Sequence, residues 1–215
     1  MRVGVLGSGT VGRVLGAGLA WHGNQVMLGS RNPEKPEVQQ WLKENAGAEA
    51  GSFADAAKFG EFLVLATLGR AVEEALALAG RENFTGKTVM DTTNPIAAGA
   101  PVEGVLPFFT GPNESLGERI QALLPEARVV KAFNSVGSAS MVNPKFRQGP
   151  PTMFLCGDNA AAKAQVSAIA RQFGWEALDM GGMVAARAIE PLCMLWCIPG
   201  LRRNQWTHAF KLLAD

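Results

Sequence analysis

The chain has 215 residues, 47% hydrophobic and 18% charged, with a formal net charge of +1. This is the balance of a soluble globular protein with a substantial core, one domain or one with a modest appendage, and it argues against a nucleic-acid partner or an anionic membrane surface. The three cysteines, Cys156, Cys193 and Cys197, and the two histidines, His22 and His208, form no metal-like cluster, so no metal site is expected. Cys193 and Cys197 share a helical face and are read as a packed pair. No secretory signal is expected, because the first residues already read as a strand, and Pro191 to Leu201, the most apolar late stretch, is too short to cross a bilayer. The expected location is cytoplasmic.

In chain order, Arg2-Val3-Gly4-Val5-Leu6 reads as a buried parallel strand running into Gly7-Ser8-Gly9-Thr10-Val11-Gly12. Each glycine has a distinct role at this spacing. Gly7 allows a tight turn, Gly9 gives a pyrophosphate room to approach the backbone, and Gly12 lets the following helix pack closely on the strand. That helix, Thr10 to about His22, turns its free N–H groups and positive dipole end toward the phosphates, with Ser8 and Thr10 as hydroxyl donors. Gly23-Asn24 end it, Gln25 to Leu28 form a second strand, and Gly29-Ser30-Arg31-Asn32-Pro33 follow.

Enzymes that use NAD place an Asp or Glu at the end of the second strand, to accept hydrogen bonds from the ribose 2′-OH. Ser30 and Arg31 stand there instead. A carboxylate would repel a 2′-phosphate, whereas a guanidinium binds it bidentately and stacks on adenine, with Ser30 and Asn32 donating nearby. The expected cofactor is therefore NADP(H). Lys35, set between Pro33 and Pro36, is a weaker candidate for the same phosphate.

Beyond Pro33 strand and helix signals keep alternating: helix Glu37 to Asn45, strand Ala48 to Gly51, helical turn Ala54 to Phe59, strand Phe62 to Ala66, helix Arg70 to Ala79, strand Thr88 to Asp91. This rhythm predicts an α/β, Rossmann-type doubly wound parallel sheet, whose ligands bind beyond the strand carboxyl ends. Ile96 to Asn113 interrupts it as an ordered loop over the site or a variable insertion. Helix Ser115 to Leu124 and strand Arg128 to Ala132 then resume, followed by strand Thr152 to Cys156, helix Asn159 to Phe173 and strand Trp175 to Asp179. Two last helices are expected, Val184 to about Ile198 and Arg203 to Leu213, separated at Pro199-Gly200. The predicted organisation is an NADP-binding Rossmann domain over residues 1–150 and a small C-terminal α/β and helical extension over 151–215, packed on the first.

The turn Gly7 to Gly12, Gly29 to Pro33, Asp91-Thr92-Thr93-Asn94-Pro95, Val130 to Gly137 and the stretch from Cys156-Gly157-Asp158 to Gly174-Trp175 resemble the NADPH-dependent deazaflavin (coenzyme F-420, here F420) reductases and the related oxidoreductase domain of membrane metalloreductases. The resemblance runs over nearly the whole chain, least well in Ile96 to Asn113. It implies a small, usually dimeric Rossmann enzyme that moves a hydride between the NADP nicotinamide and a flavin or deazaflavin, with F420, FMN or FAD as candidate second substrates. By position it implies that Thr10, Val11, Ser30, Arg31, Thr67 and Leu68 hold NADP, and that Asn94, Pro95, Ala132, Phe133 and Asn134 line the nicotinamide.

Such a transfer demands stacking, orientation and water exclusion, and no catalytic side chain is obligatory. Carbonyl reduction usually wants a positioned acid. The chain has no tyrosine; Lys131, inside a strand, is read as structural or surface, and His208, a candidate acid, as more often packing or surface. The 2-hydroxy-acid and pyrroline-carboxylate reductases share the N-terminal motif but need a longer helical C-terminal domain. Met183, Met194, Trp196, Leu201 and Trp206 make the C-terminal region apolar, as a core, a homodimer interface or the wall of a flavin pocket. Arg202 and Arg203 could then meet an acidic coenzyme tail. Beside the flavin or deazaflavin reductase stand two alternatives: an NADPH-dependent reductase of a small imine or carbonyl, and a non-catalytic NADPH-sensing protein.

Overall fold

The computed structural model describes residues 1–214. Six short strands, β1 (Arg2–Leu6), β2 (Gln25–Gly29), β3 (Glu49–Gly51), β4 (Phe62–Leu65), β5 (Thr88–Asp91) and β6 (Arg128–Lys131), pair in parallel in the order β3-β2-β1-β4-β5-β6. A parallel sheet is covered by helices on both faces. That is why β4 reads Phe-Leu-Val-Leu with no polar alternation and is buried throughout.

On one face α1 (Thr10–Trp21), α2 (Pro36–Glu44) and α6 (Ala160–Gln172) bring Leu15, Leu19, Trp41 and Val166 against Val3, Val5 and Val64. On the other, α3 (Phe53–Phe59), α4 (Val72–Ala79), α5 (Leu116–Leu123) and the short α7 (Ala186–Ile189) bring Phe53, Leu76, Ile120 and Ile189 against Leu6, Leu63 and Leu65. The fold is a Rossmann-type doubly wound sheet.

The C-terminal part adds β7 (Thr152–Leu155) and β8 (Glu176–Asp179), a parallel pair in a sheet of its own. An antiparallel bridge between Lys131 and Cys156 links it to β6. Both core clusters take residues from beyond position 150, Met153, Phe173 and Trp175 in one and Cys156, Met183 and Ala186 in the other. The hydrophobic core therefore runs across that position without a break.

The C-terminus departs from the helix–break–helix expectation. A 3-10 turn (Met183–Ala185), α7 and α8 (Pro191–Arg203) follow one another with Glu190 between the last two, and α8 continues through Pro199. Asn204, left-handed at φ 53°, ends it. Residues 204–214 form no helix; their backbone groups bond to α8 and β7 instead, Trp196 Nε1 donating to His208 O at 2.9 Å, Thr152 N to Phe210 O at 2.9 Å and Leu212 N to Thr152 Oγ1 at 3.1 Å. The joined run Met183–Arg203, 21 residues with an 18-residue window of mean hydropathy 1.4, is long and apolar enough by length and composition to cross a membrane, unlike the shorter stretch marked by the sequence. In this fold its first half packs against the sheet through Met183, Ala186 and Ile189, and Glu190 near its middle is only 1% exposed.

The segment Ile96 to Asn113 is an ordered arm. Ile96 bridges Phe108, and Val102 bridges Val105 around a two-residue turn whose central residues, Glu103 and Gly104, both have positive φ (51° and 85°), as a type I′ hairpin requires. The tip rests on α8: a Cβ added to Gly104 would lie 2.7 Å from Arg202 Cγ, and Arg202 Nη2 is 3.7 Å from Glu103 Oε2.

Candidate functional site

The strand order reverses between β1 and β4, whose connections leave in opposite directions, and the crevice beyond their carboxyl ends is where such sheets bind ligands. A cavity of about 450 Å³ opens there. Its wall contains Gly7, Ser8, Gly9, Thr10 and Val11 from the first turn, Ser30, Arg31, Asn32 and Lys35 from the loop after β2, and Thr67 and Leu68 after β4.

The first turn has the geometry its spacing implies. Gly7 sits at φ 131°, and a Cβ there would meet Ala66 O at 2.3 Å; at Gly12 it would meet Gly7 O at 1.8 Å, so α1 presses on the turn it leaves. Gly12 is buried beneath the cavity rather than in its wall. At Gly9 an added Cβ would meet nothing within 4 Å, and no side chain caps α1 at this residue. The first N–H groups of the helix therefore face an open space with a favourable dipole for an anion.

Ser8 and Ser30 prove to be buried hydroxyls. Ser8 Oγ donates to Ser30 Oγ at 2.8 Å, and Ser30 Oγ donates to Asn32 O at 3.0 Å while accepting from Asn32 N at 3.2 Å. Ser30 thus shapes the loop that presents Arg31, and its own proton is already engaged. Arg31 is 70% exposed, with Nη1 3.9 Å from Glu74 Oε1 on α4. Sequence reasoning missed Glu74, together with Phe53, Ala71, Ala75 and Leu78 of the same wall. The available signal was that α4 starts at the switch point, so its first turns must border the crevice.

The residues at the ends of β5 and β6 separate into two kinds. Thr92 reaches the cavity wall, whereas Asn94, Pro95, Ala132, Phe133 and Asn134 do not. Ala132 and Phe133 are 0% exposed, and the Phe133 ring packs edge-on against Phe173 and Trp175 in the core. Phe133 takes a left-handed backbone, φ 58°, at that bend. As side chains, Ala132 and Phe133 support the site from beneath and do not face a ligand in this conformation. Asn94 and Asn134 are tied together: Asn94 Nδ2 donates to Asn134 O at 2.7 Å and Asn134 Nδ2 to Asn94 Oδ1 at 3.1 Å.

Lys131 is wholly buried, its Nζ 2.6 Å from Asp91 Oδ2 and 2.9 Å from Glu190 Oε1, so its surface reading falls. Burial alone would push the ammonium down, but the two carboxylates outweigh it and hold its pKa above the ordinary lysine value. His208 is half-buried and stacks on Trp196 with ring centroids 5.0 Å apart. Burial chiefly pushes the Cys156 thiol up to about 12. Cys193 and Cys197, one turn apart on α8, act on each other, which raises the pKa of Cys193 and lowers that of Cys197.

Strand order and cleft define a Rossmann-class α/β protein, and comparison with known proteins narrows the class. A family profile described as NADP oxidoreductase, coenzyme F420-dependent, matches residues 2–95. The chain is 30% identical to the F420-dependent NADP reductase of Methanocaldococcus jannaschii over 91% of its own length and 90% of that protein's. It is 32% identical to the metalloreductase STEAP3 of Rattus norvegicus over 93% of its length, but spans only 38% of that relative. A 1.70 Å crystal structure from Arthrobacter sp. FB24, of a protein proposed to be an F420-dependent NADP reductase, superposes with a TM-score of 0.91 at 35% identity over 99% of both chains. An imine reductase from Streptomyces aurantiacus, at 17% identity and a TM-score of 0.68 over 63% of its chain, shares the fold. The chain belongs to the family of coenzyme F420-dependent NADP oxidoreductases. It is an NADP-dependent oxidoreductase.

Proposed function

We propose that the chain moves a hydride between NADP(H), held in the cleft between β1 and β4, and a flavin or deazaflavin acceptor, with F420 the first candidate and FMN and FAD the others. The observation that carries this reading is the chemistry of the cleft wall. Among the described residues its only ionisable side chains are Arg31, Lys35 and Glu74, after β2 and on α4, with none from the strand ends and turns directly after β4 and β5. The names of the F420-dependent relatives support the choice of acceptor.

The residues present fit a bound dinucleotide. The N-terminus of α1 is uncapped, and Thr67 Oγ1, in the cavity wall, is buried with no hydrogen-bond partner. Gly9, Thr10 and Val11 would receive the pyrophosphate, Arg31 and Lys35 the 2′-phosphate, and Thr67, Leu68, Asn94 and Asn134 would border the nicotinamide half. When bound, the nicotinamide supplies or accepts the hydride at its C4. The chain's part is to hold the ring, orient it and keep water out, which suits a transfer needing no protein acid. Carbonyl reduction would need a proton donor at that end. A cytoplasmic homodimer belongs to the same reading.

Anaerobic stopped-flow absorbance of the purified protein with NADPH and, in parallel, F420, FMN or FAD tests the proposal. Rapid bleaching of F420 is expected. Tight NADPH binding with none of the three reduced would remove the flavin reading and bring forward a small-carbonyl reductase or a sensor.

A further inference from the structure

Three buried charges lie below the cleft, and the hydride transfer proposed above makes no use of them. Lys131 and Asp91 are 0% exposed and Glu190 1%. Lys131 Nζ lies 2.6 Å from Asp91 Oδ2 and 2.9 Å from Glu190 Oε1, and it donates to Thr93 O at 2.9 Å. Asp91 Oδ1 accepts from Thr93 N at 2.9 Å and from Thr93 Oγ1 at 2.7 Å. Glu190 accepts from Leu116 N at 2.9 Å and Gly117 N at 2.8 Å, the first turn of α5, whose positive end offsets the surplus negative charge of the triad.

Taking two carboxylates and an ammonium out of water is expensive, and apolar replacements of similar volume are often at least as stable. Stability is therefore a poor reason for such a triad, and its geometry offers a better one. Two arms lead from it to the same place. Thr93 precedes Asn94, and Ile189 precedes Glu190; Asn134 Nδ2 donates to Asn94 Oδ1 at 3.1 Å and to Ile189 O at 3.0 Å, while Asn94 Nδ2 returns a bond to Asn134 O at 2.7 Å. Both ends of the amide pair are thus fixed through one ammonium. The second mononucleotide of a Rossmann ligand lies over the strand ends beyond the switch point, which here are those of β4, β5 and β6. Asn94 and Asn134 follow β5 and β6.

We propose that Lys131, Asp91 and Glu190 are positioning residues that hold the Asn94–Asn134 pair in register for the nicotinamide half of the cofactor, with no role in the adenosine half. The inference rests on the NADP reading of the cleft. It is tested by comparing the affinities of NADPH and of 2′,5′-ADP, which carries only the adenosine half, by calorimetry on the full chain. In the charge-free variant Asp91→Asn/Lys131→Met/Glu190→Gln, with a cooperative thermal transition retained, NADPH should weaken about tenfold and 2′,5′-ADP by less than about twofold. Thr93→Val, which cuts one link, should move NADPH alone by about threefold and carries the test if the triple variant does not fold. Equal losses for both ligands, or no loss of NADPH affinity in a folded variant, overturn the positioning role. A wild-type chain that does not bind 2′,5′-ADP overturns the NADP reading itself, and this inference with it.

Discussion

Arg31 is the residue on which we propose that cofactor choice turns. It is exposed at the rim of the cleft, and its nearest carboxylate is Glu74, which approaches from α4 rather than from β2. A 2′-phosphate carries more charge and more acceptor oxygens than Glu74, so the guanidinium should exchange one partner for the other on binding. Arg31→Ala is therefore expected to weaken NADPH binding by about 2 kcal/mol and to leave NADH binding nearly unchanged, as read by calorimetry at fixed ionic strength. Equal losses for the two cofactors would remove Arg31 from the 2′-phosphate. Arg31 is legible in the sequence because a charged residue at the end of β2 has few reasons to be there other than the ribose. Ser30 reads there as a donor to the ligand, and only the fold reveals that Ser8 and Asn32 engage it first.

At the level of elements, β1, α1 and β2 behave as local sequence dictates, whereas the last thirty residues do not. Pro199 lacks the N–H that would bond to Leu195 O, which in isolation argues for a break at this point. Yet α8 continues, because Trp196 and Cys193 are buried along it and Gly200 accepts the Trp206 ring: a Cβ on Gly200 would lie 2.2 Å from that ring. Trp206 Nε1 also donates to Asn204 Oδ1 at 3.0 Å, which folds the chain back at the helix end. Gly200→Ala should therefore displace the Trp206 ring into solvent, seen as red-shifted tryptophan emission, with little change in the main thermal transition, since Trp206 is already 41% exposed. Unchanged emission would mean that the ring does not depend on Gly200.

For the whole molecule, one ion pair ties the C-terminal part to α5 and another braces it internally. Arg187 Nη2 lies 2.7 Å from Glu118 Oε1, and Lys163 Nζ lies 2.9 Å from Asp179 Oδ2. The hydrogen bonds from Arg187 hold Glu118 below the usual 4.5; burial works to raise Asp179, but Lys163 and the Gly181 N–H together outweigh it and hold that carboxyl below 3.8. Both folded-state values are depressed, so their stabilisation is present above the unfolded values and is lost as pH falls through the folded ones. The urea midpoint should be flat above about pH 5 and fall below it, and Arg187→Met should blunt that fall; an acid limb identical to wild type would discount the pair. A homodimer is proposed from the exposed Leu195 (55%) and Leu201 (40%) of α8. Sedimentation should give a dimer for wild type and a monomer for Leu195→Glu, while a monomeric wild type would rule out this interface. The sequence by itself determined the sheet, the tight glycine turn and the placing of Arg31 at the cleft, because hydrophobic period, glycine spacing and the residue ending β2 are local signals read within a few positions. Only the tertiary structure decided the path of residues 204–214, the buried Phe133 ring, Glu74 at the rim and the Lys131 triad. Each of these is a partnership between segments far apart in the chain, and whether a proline is tolerated, a lysine buried or a tail left unwound depends on what the partner segment offers.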